Sequence, residues 1–156
     1  MAKAYYSTVF DTSAADVWHI IRDFNNYPIW VDGAGESAIE QGKSGDTVGA
    51  VRSVNFQGCH IRQRLHAQSD LERTQTYEFD EPIYRPITDF RATIRVTPIV
   101  DGDRSLVEWW ATFDCAPNRR DEQKASLEAA FATWLGSLRR SAGGSRSPEI
   151  AAGVTG

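Results

Sequence analysis

Between Arg120 and Arg140, apolar residues recur at Leu127, Ala130, Phe131, Trp134, Leu135 and Leu138, the three-and-four spacing of one helical face. The stretch has no Pro, acids at its start (Asp121, Glu122) and bases at its end (Arg139, Arg140), a distribution that suits the helix dipole. The spacing predicts a helix roughly 30 Å long, whose broad apolar face needs a large partner surface. The remaining pattern is mostly alternation, the mark of strands with one buried side. Ala4 to Phe10 predicts a first strand, with Ala4, Tyr6, Thr8 and Phe10 on one side. Ser13 then offers an N-cap, with Asp16 as a weak capping box. Val17, Ile20, Ile21 and Phe24 give the next helix an apolar side, and Asn25-Asn26-Tyr27-Pro28 breaks it. Trp30 is expected to plug the junction that follows.

Further on, Glu36 to Gln41 predicts a short strand and Gly42 to Gly45 a turn. Val48, Ala50, Arg52, Val54 and Phe56 share one face of the next strand, which turns at Gln57-Gly58. Cys59, Ile61, Gln63, Leu65 and Ala67 then face inward, with His60, Arg62, Arg64 and His66 outward. Tyr77 and Phe79 mark another strand, and Pro82 and Pro86 bracket a loop from Glu81 to Thr88 that no strand interior would tolerate. Phe90, Ala92, Ile94 and Val96 alternate with Arg91, Thr93, Arg95 and Thr97, and Asp101-Gly102 signals a hairpin. Its second arm carries Val107, Trp109, Ala111 and Phe113 inward, and Pro117 ends it. The order is strand, short helices, about six antiparallel strands, long helix: an α+β chain. Residues 1–140 read as one domain and 141–156, small, polar and Gly-rich, as a flexible tail.

A length of 156 residues, 41% hydrophobic and 24% charged, is ordinary for one globular domain. A formal charge of −4 argues against nucleic acid as a partner. No apolar run approaches the ~18 residues that span a bilayer, and the first ten residues lack a signal-peptide layout, so a cytoplasmic location without integral membrane association is expected. Cys59 and Cys115 form neither a metal-type spacing nor a disulfide framework.

The segments FDTSAADVWHIIRDFNNYPIW, GAVRSVNF, IRQRLHAQSDLERTQTYEF, EPIYRPITDFRATIRV and SLVEWWATFD, followed by the terminal helix, resemble the START-like or SRPBCC superfamily, in its polyketide cyclase/dehydrase-type branch. More distant relatives of that superfamily are the plant abscisic acid receptors and the birch pollen allergen. The resemblance covers Ala2 to Arg140 and implies a helix-grip (Bet v 1-like) fold: a bent seven-stranded antiparallel sheet around a long C-terminal helix, with two short helices after strand 1 and an apolar cavity between sheet and helix. Matched onto that fold, the inward set is Arg52, Val54, Phe56, Ile61, Gln63, Tyr77, Phe79, Phe90, Ala92, Ile94, Trp109, Ala111 and Phe113, with Phe131, Trp134 and Leu138 from the helix. Each of these would equally serve as plain core, so the polar members carry the most information.

Arg52 stands among Val48, Ala50, Val54 and Phe56. An unpaired guanidinium in an apolar cavity costs several kcal/mol, so it must snorkel to the mouth, find a carboxylate, or meet an anionic ligand group. Gln63 occupies a place where family relatives often carry Glu; it can orient a carbonyl or hydroxyl but cannot act as a general base. Tyr77 adds a hydroxyl on an apolar body. His60 and His66 point outward, His19 lies on the first helix, and Cys59 has no activating base. No phosphate loop or metal cluster is present, so no catalytic residue, metal or cofactor is assigned. Arg62, Arg64, Arg91 and Arg95, beside Glu108 and Asp114, read as cross-strand pairing on a wet face.

The expected function is binding of a small, mostly hydrophobic ligand, lipid-like or polyketide-like, in the internal cavity. Two alternatives stand beside it: a cyclase, aromatase or dehydratase acting through Tyr77 and Arg52, and a regulatory module gated by the Glu81–Thr88 loop. Self-association into a homodimer stays open.

Overall fold

The computed structural model describes residues 1–80 and 85–143. In chain order they form β1 (Ala2–Phe10), α1 (Ala14–Ile21), α2 (Tyr27–Trp30), β2 (Ala34–Ile39), β3 (Val51–Phe56), β4 (Cys59–Ser69), β5 (Thr74–Phe79), β6 (Thr88–Ile99), β7 (Arg104–Asp114) and α3 (Arg120–Gly143), with 3-10 turns at Glu40–Gly42 and Pro117–Arg119. The seven strands form one antiparallel sheet in the order β1-β7-β6-β5-β4-β3-β2. α3 lies across its inner face: a helix-grip fold, as the resemblance implies. Among the described residues no helix is long and apolar enough to cross a membrane.

Local chemistry explains the joints. Ser13 caps α1, its hydroxyl accepting from the Asp16 backbone N–H at 3.2 Å. Pro28 sits in the first turn of α2, where its missing N–H costs nothing. The β6–β7 hairpin turns at Asp101-Gly102-Asp103, with Gly102 at φ +88° and Asp103 at +52°. α3 buries Leu127, Phe131, Leu135, Leu138 and Ala142 along one side, each large apolar side chain contributing about 1.5–3 kcal/mol. Trp30 plugs the junction behind α2, edge-on to Tyr27 and 5.7 Å from the Trp109 ring.

Five expectations are corrected. Val48 is not an inward strand residue: β3 starts only at Val51, and Val48 lies in the preceding turn, 57% exposed, next to Gly49 at φ +91°. β2 ends at Ile39, and the chain passes straight into a 3-10 turn in which Gln41 has a positive φ. Ala67 is exposed, because a bulge between Leu65 and Ala67 breaks the two-residue alternation of β4. Past that bulge Gln68 turns inward and donates to the Arg22 carbonyl at 2.9 Å. Cys59, at the open start of β4, is exposed and not inward. α3 continues through Ser141–Gly143, assigned above to the tail, because Ala142 is buried and the Ser141 hydroxyl donates to the Ile29 carbonyl at 3.3 Å. The rest of the expected tail, 144–156, and loop residues 81–84 lie outside the described residues.

The outer face is charged and paired. Arg62 bridges Glu40 (2.7 Å) and Asp80 (3.1 Å), Arg64 pairs with Asp80 (2.6 Å), Arg91 with Glu78 (3.2 Å), and Arg95 with Glu108 (2.8 Å). Asp114 is met by the N-terminal amine at 3.5 Å. All three histidines are exposed: His60 contacts the Ser53 hydroxyl, His66 lies 3.0 Å from Glu78, and His19 is on the open side of α1.

Candidate functional site

Where α3 crosses the sheet, large side chains meet: Trp109 of β7 stacks on Phe131 with centroids 4.8 Å apart and 15° between planes. Toward β3–β5 the sheet curves away from the helix, and a cavity of about 40 Å³ remains. Space of that size admits about three waters. Val54 and Phe56 of β3, Ile61 and Gln63 of β4, Tyr77 and Phe79 of β5, Phe90 of β6, and Phe131 and Trp134 of α3 line it, all of them in the expected inward set. Tyr27, Val31, Arg85 and Leu127 line it as well. Tyr27 and Val31 come from α2 and the residue after it; Tyr27 was read above as part of a chain break, and Val31 had no expected role.

Seven residues of the expected set do not line the cavity. Ala92, Trp109, Ala111 and Leu138 are fully buried in the packed core. Alternation points them inward correctly, but on β6 and β7 inward means against the helices, where Trp109 packs among Trp30, Phe131 and Trp134. Ile94 and Phe113 are fully buried core too.

Arg52 is also absent from the lining, yet it governs the site's electrostatics from one layer behind it. Its side chain is only 1% exposed. The guanidinium carbon lies 3.4 Å from the centroid of Tyr27, 3.8 Å from Phe24 and 5.5 Å from Tyr77, a cation packed among aromatic faces. Nη1 donates to the Phe24 carbonyl at 2.7 Å, Nε donates to Gln63 Oε1 at 3.0 Å, and Nη2 donates to the same oxygen. Burial lowers its pKa below the ordinary value, while Tyr27 and Tyr77 work the other way; among the described residues no carboxylate acts on it. Of the three fates expected for Arg52, snorkelling and carboxylate pairing are thus not realised among the described residues. Gln63 is the link: it lines the cavity and holds the guanidinium behind it.

A second polar feature faces the same space. The hydroxyls of Tyr27 and Tyr77 approach to 3.4 Å in buried surroundings. Burial first, then the Tyr27 neighbour, hold the Tyr77 phenol well above its ordinary pKa. Tyr77 is therefore a neutral O–H at any physiological pH, a hydrogen-bond donor and not a base. The Trp109 indole N–H lies near enough to favour the ionised phenol slightly, but among the described residues it meets no acceptor with hydrogen-bonding geometry. Such a group costs about 1–3 kcal/mol and is rare in folded proteins. The wall is thus mostly apolar and aromatic, with two hydroxyls, one amide and the Arg85 side chain on it and the Arg52 cation behind it. Among the described residues no group of His, Cys, Asp and Glu could hold a metal ion.

The sequence model of a family described as "Polyketide cyclase / dehydrase and lipid transport" matches residues 1–143. Several solved structures are similar. A protein from Thermobifida fusca is 30% identical, with 92% of this chain and 94% of that chain covered and a TM-score of 0.80. The protein XoxI from Bacillus cereus is 28% identical, covering 90% and 94%, with a TM-score of 0.79. The di-domain ARO/CYC BexL of the BE-7585A biosynthetic pathway shares the fold at 12% identity and a TM-score of 0.76; the match takes in 90% of this chain and 46% of that one. Comparison with curated protein sequences gives no match.

Proposed function

The chain belongs to the polyketide cyclase/dehydrase and lipid transport family, and from that premise we propose that it binds a small, mostly hydrophobic molecule, lipid-like or polyketide-like, in the cavity between sheet and α3. The observation that carries this is Arg52: a fully buried cation behind the Gln63, Tyr27 and Tyr77 wall, with no carboxylate among the described residues acting on it. Burial without a counter-ion is a poor way to stabilise a core, and a wall of aromatics with a few fixed donors is the make-up of a ligand site. The occupant is accordingly apolar over most of its surface and carries an oxygen acceptor that Tyr77 and Gln63 can reach.

The cavity at about 40 Å³ is smaller than such an occupant, so binding widens it. The contact at its outer end is the edge-to-face pair Phe56–Trp134, with centroids 5.6 Å apart. A pair of that kind contributes about 0.5–1.5 kcal/mol, a barrier that ligand burial readily offsets. N-phenyl-1-naphthylamine, a neutral dye that brightens in apolar surroundings, should bind to the native protein, and Leu127→Trp, which fills the cavity, should abolish it. A dye signal unchanged by that filling would contradict the proposal.

A second reading, cyclase-type catalysis, is favoured by the same cation. A carbonyl oxygen that gains negative charge as an enolate would be held by the Tyr77 O–H, with Arg52 compensating the charge across the wall. No described cavity residue is a histidine or carboxylate that could take the α-proton, so that proton would pass to a solvent water and the protein's part would be positioning and charge stabilisation. If turnover of a carbonyl substrate survives Tyr77→Phe combined with Arg52→Met, that assignment of roles is wrong.

A further inference from the structure

Hydrogen bonds have a direction, and the buried cation fixes it for the cavity wall. Arg52 carries donors only. Two of them, Nε and Nη2, fall on the same Gln63 oxygen, the first at 3.0 Å. Both lone pairs of Oε1 are thereby taken, and the amide cannot turn over, because its NH2 group would then face a guanidinium. Those two are the side-chain bonds Gln63 makes among the described residues, so its amide N–H groups are left for an occupant of the cavity it lines.

The same charge orients the tyrosine pair. The guanidinium carbon lies 3.4 Å from the Tyr27 ring centroid and 5.5 Å from that of Tyr77. A hydroxyl dipole beside a cation turns its oxygen toward the charge and its hydrogen away. Tyr27 therefore donates to the Tyr77 oxygen across 3.4 Å, which leaves the Tyr77 O–H for the cavity. Arg85, the remaining polar side chain of the lining, has no acceptor in any orientation. An amide free to turn could orient either a carbonyl or a hydroxyl; this one is not free. A hydroxyl brought here would bury its hydrogen without an acceptor and against the positive potential of Arg52, which a low local dielectric makes strongly felt.

Resting on the binding reading above, we infer that the cavity selects a molecule whose buried oxygen only accepts, such as a ketone, quinone or ester carbonyl, and discriminates against the corresponding alcohol. Gln63 Nε2 and the Tyr77 hydroxyl are the donors that meet this oxygen. Arg52 is the positioning residue behind them: it touches no ligand, but it decides which end of the Gln63 amide and which phenol hydrogen the ligand finds.

α-Tetralone and α-tetralol share one carbon frame and differ in that single group. Their displacement of N-phenyl-1-naphthylamine from the full chain gives a ratio of affinities within each protein, so a uniform change in binding cancels. In the native chain the ketone should compete about tenfold better. An alcohol is also the costlier group to desolvate, so the decisive reading is how the ratio moves. Gln63→Glu keeps the shape and the acceptor for Arg52 but turns a carboxylate oxygen to the cavity in place of the NH2 group; the ratio should invert in favour of the alcohol. Arg52→Met frees the amide to turn, and the ratio should fall several-fold toward parity. Equal competition in the native chain, a native chain that releases the dye to neither compound, or a ratio unmoved in either variant overturns the inference while leaving the binding reading intact. Absence of dye binding in the native chain sinks the binding reading itself, and this inference with it.

Discussion

Replacing Arg52 by Met separates a residue held for binding from one held for stability. Met has about the same length, no charge and no hydrogen-bond donor. The substitution removes the donors to the Phe24 carbonyl and to Gln63 Oε1. Gln63 borders the cavity and can turn to water there, so one buried acceptor, Phe24 O, is left unpaired at about 1–3 kcal/mol. Loss of the stacked cation between Tyr27 and Phe24 adds about 2 kcal/mol. Against these stands relief of a desolvation penalty of several kcal/mol for an ion with no counter-ion among the described residues. The net change in unfolding free energy is therefore within about 2 kcal/mol of zero, whereas Arg52→Ala, which also leaves a void, should cost about 2–5 kcal/mol. Urea unfolding followed by tryptophan fluorescence measures both. Affinity for a ligand with a carbonyl or acidic oxygen should fall at least tenfold in Arg52→Met, a loss of about 1.4 kcal/mol or more. An Arg52→Met protein destabilised by more than about 4 kcal/mol, with ligand affinity unchanged, would refute the reasoning.

Trp109→Ala should cost about 3–5 kcal/mol in chemical denaturation, since the ring is fully buried among Trp30, Phe131 and Trp134. Trp134→Ala, at the half-exposed edge of the cavity, should cost clearly less but alter dye binding more; equal stability losses would show that the two rings are not in different settings. Gly45→Ala should lower the thermal midpoint by several degrees, about 1–2 kcal/mol, because a Cβ there collides with the Asp23 carboxylate and crowds the Phe24 backbone nitrogen. Tyr77 has a folded-state pKa raised well above 10, so the stability it contributes is whole below about pH 10 and is lost as pH climbs toward the folded value. Tyrosinate absorbance should show one phenol that ionises only with alkaline unfolding, and Tyr77→Phe should abolish that lag; simple titration of every tyrosine near the ordinary value would contradict it.

Much of this molecule was legible in alternation alone. The inward parity of β3 held from Arg52 to Phe56, and that of β6 and β7 held throughout, since one-sided burial enforces a strict two-residue period. Parity failed at Ala67, where a bulge carries no sequence mark, and at Val48, where Gly49 halts the strand. The cavity was harder to read. Alternation states which side of a strand faces in, but not whether a helix or a void lies opposite. Trp109 and Ala111 therefore looked like wall and are core, while Tyr27 looked like part of a break and, with Val31, is wall. Arg52 was legible as an anomaly, a cation on an apolar face, but its aromatic enclosure was not, because Phe24 and Tyr27 come from an irregular segment. Arg85 gave no periodic signal at all: it lies between two prolines, outside any element whose faces could be counted.

The central claim, that the space between sheet and helix takes up a hydrophobic molecule, is tested most directly by native mass spectrometry of the freshly purified protein before and after addition of decanoate. One added mass per chain should be seen in the native protein and lost in Leu127→Trp, with Trp134→Ala altering its retention. A bare chain mass under both conditions, or an adduct equally abundant when the cavity is filled, would contradict the account.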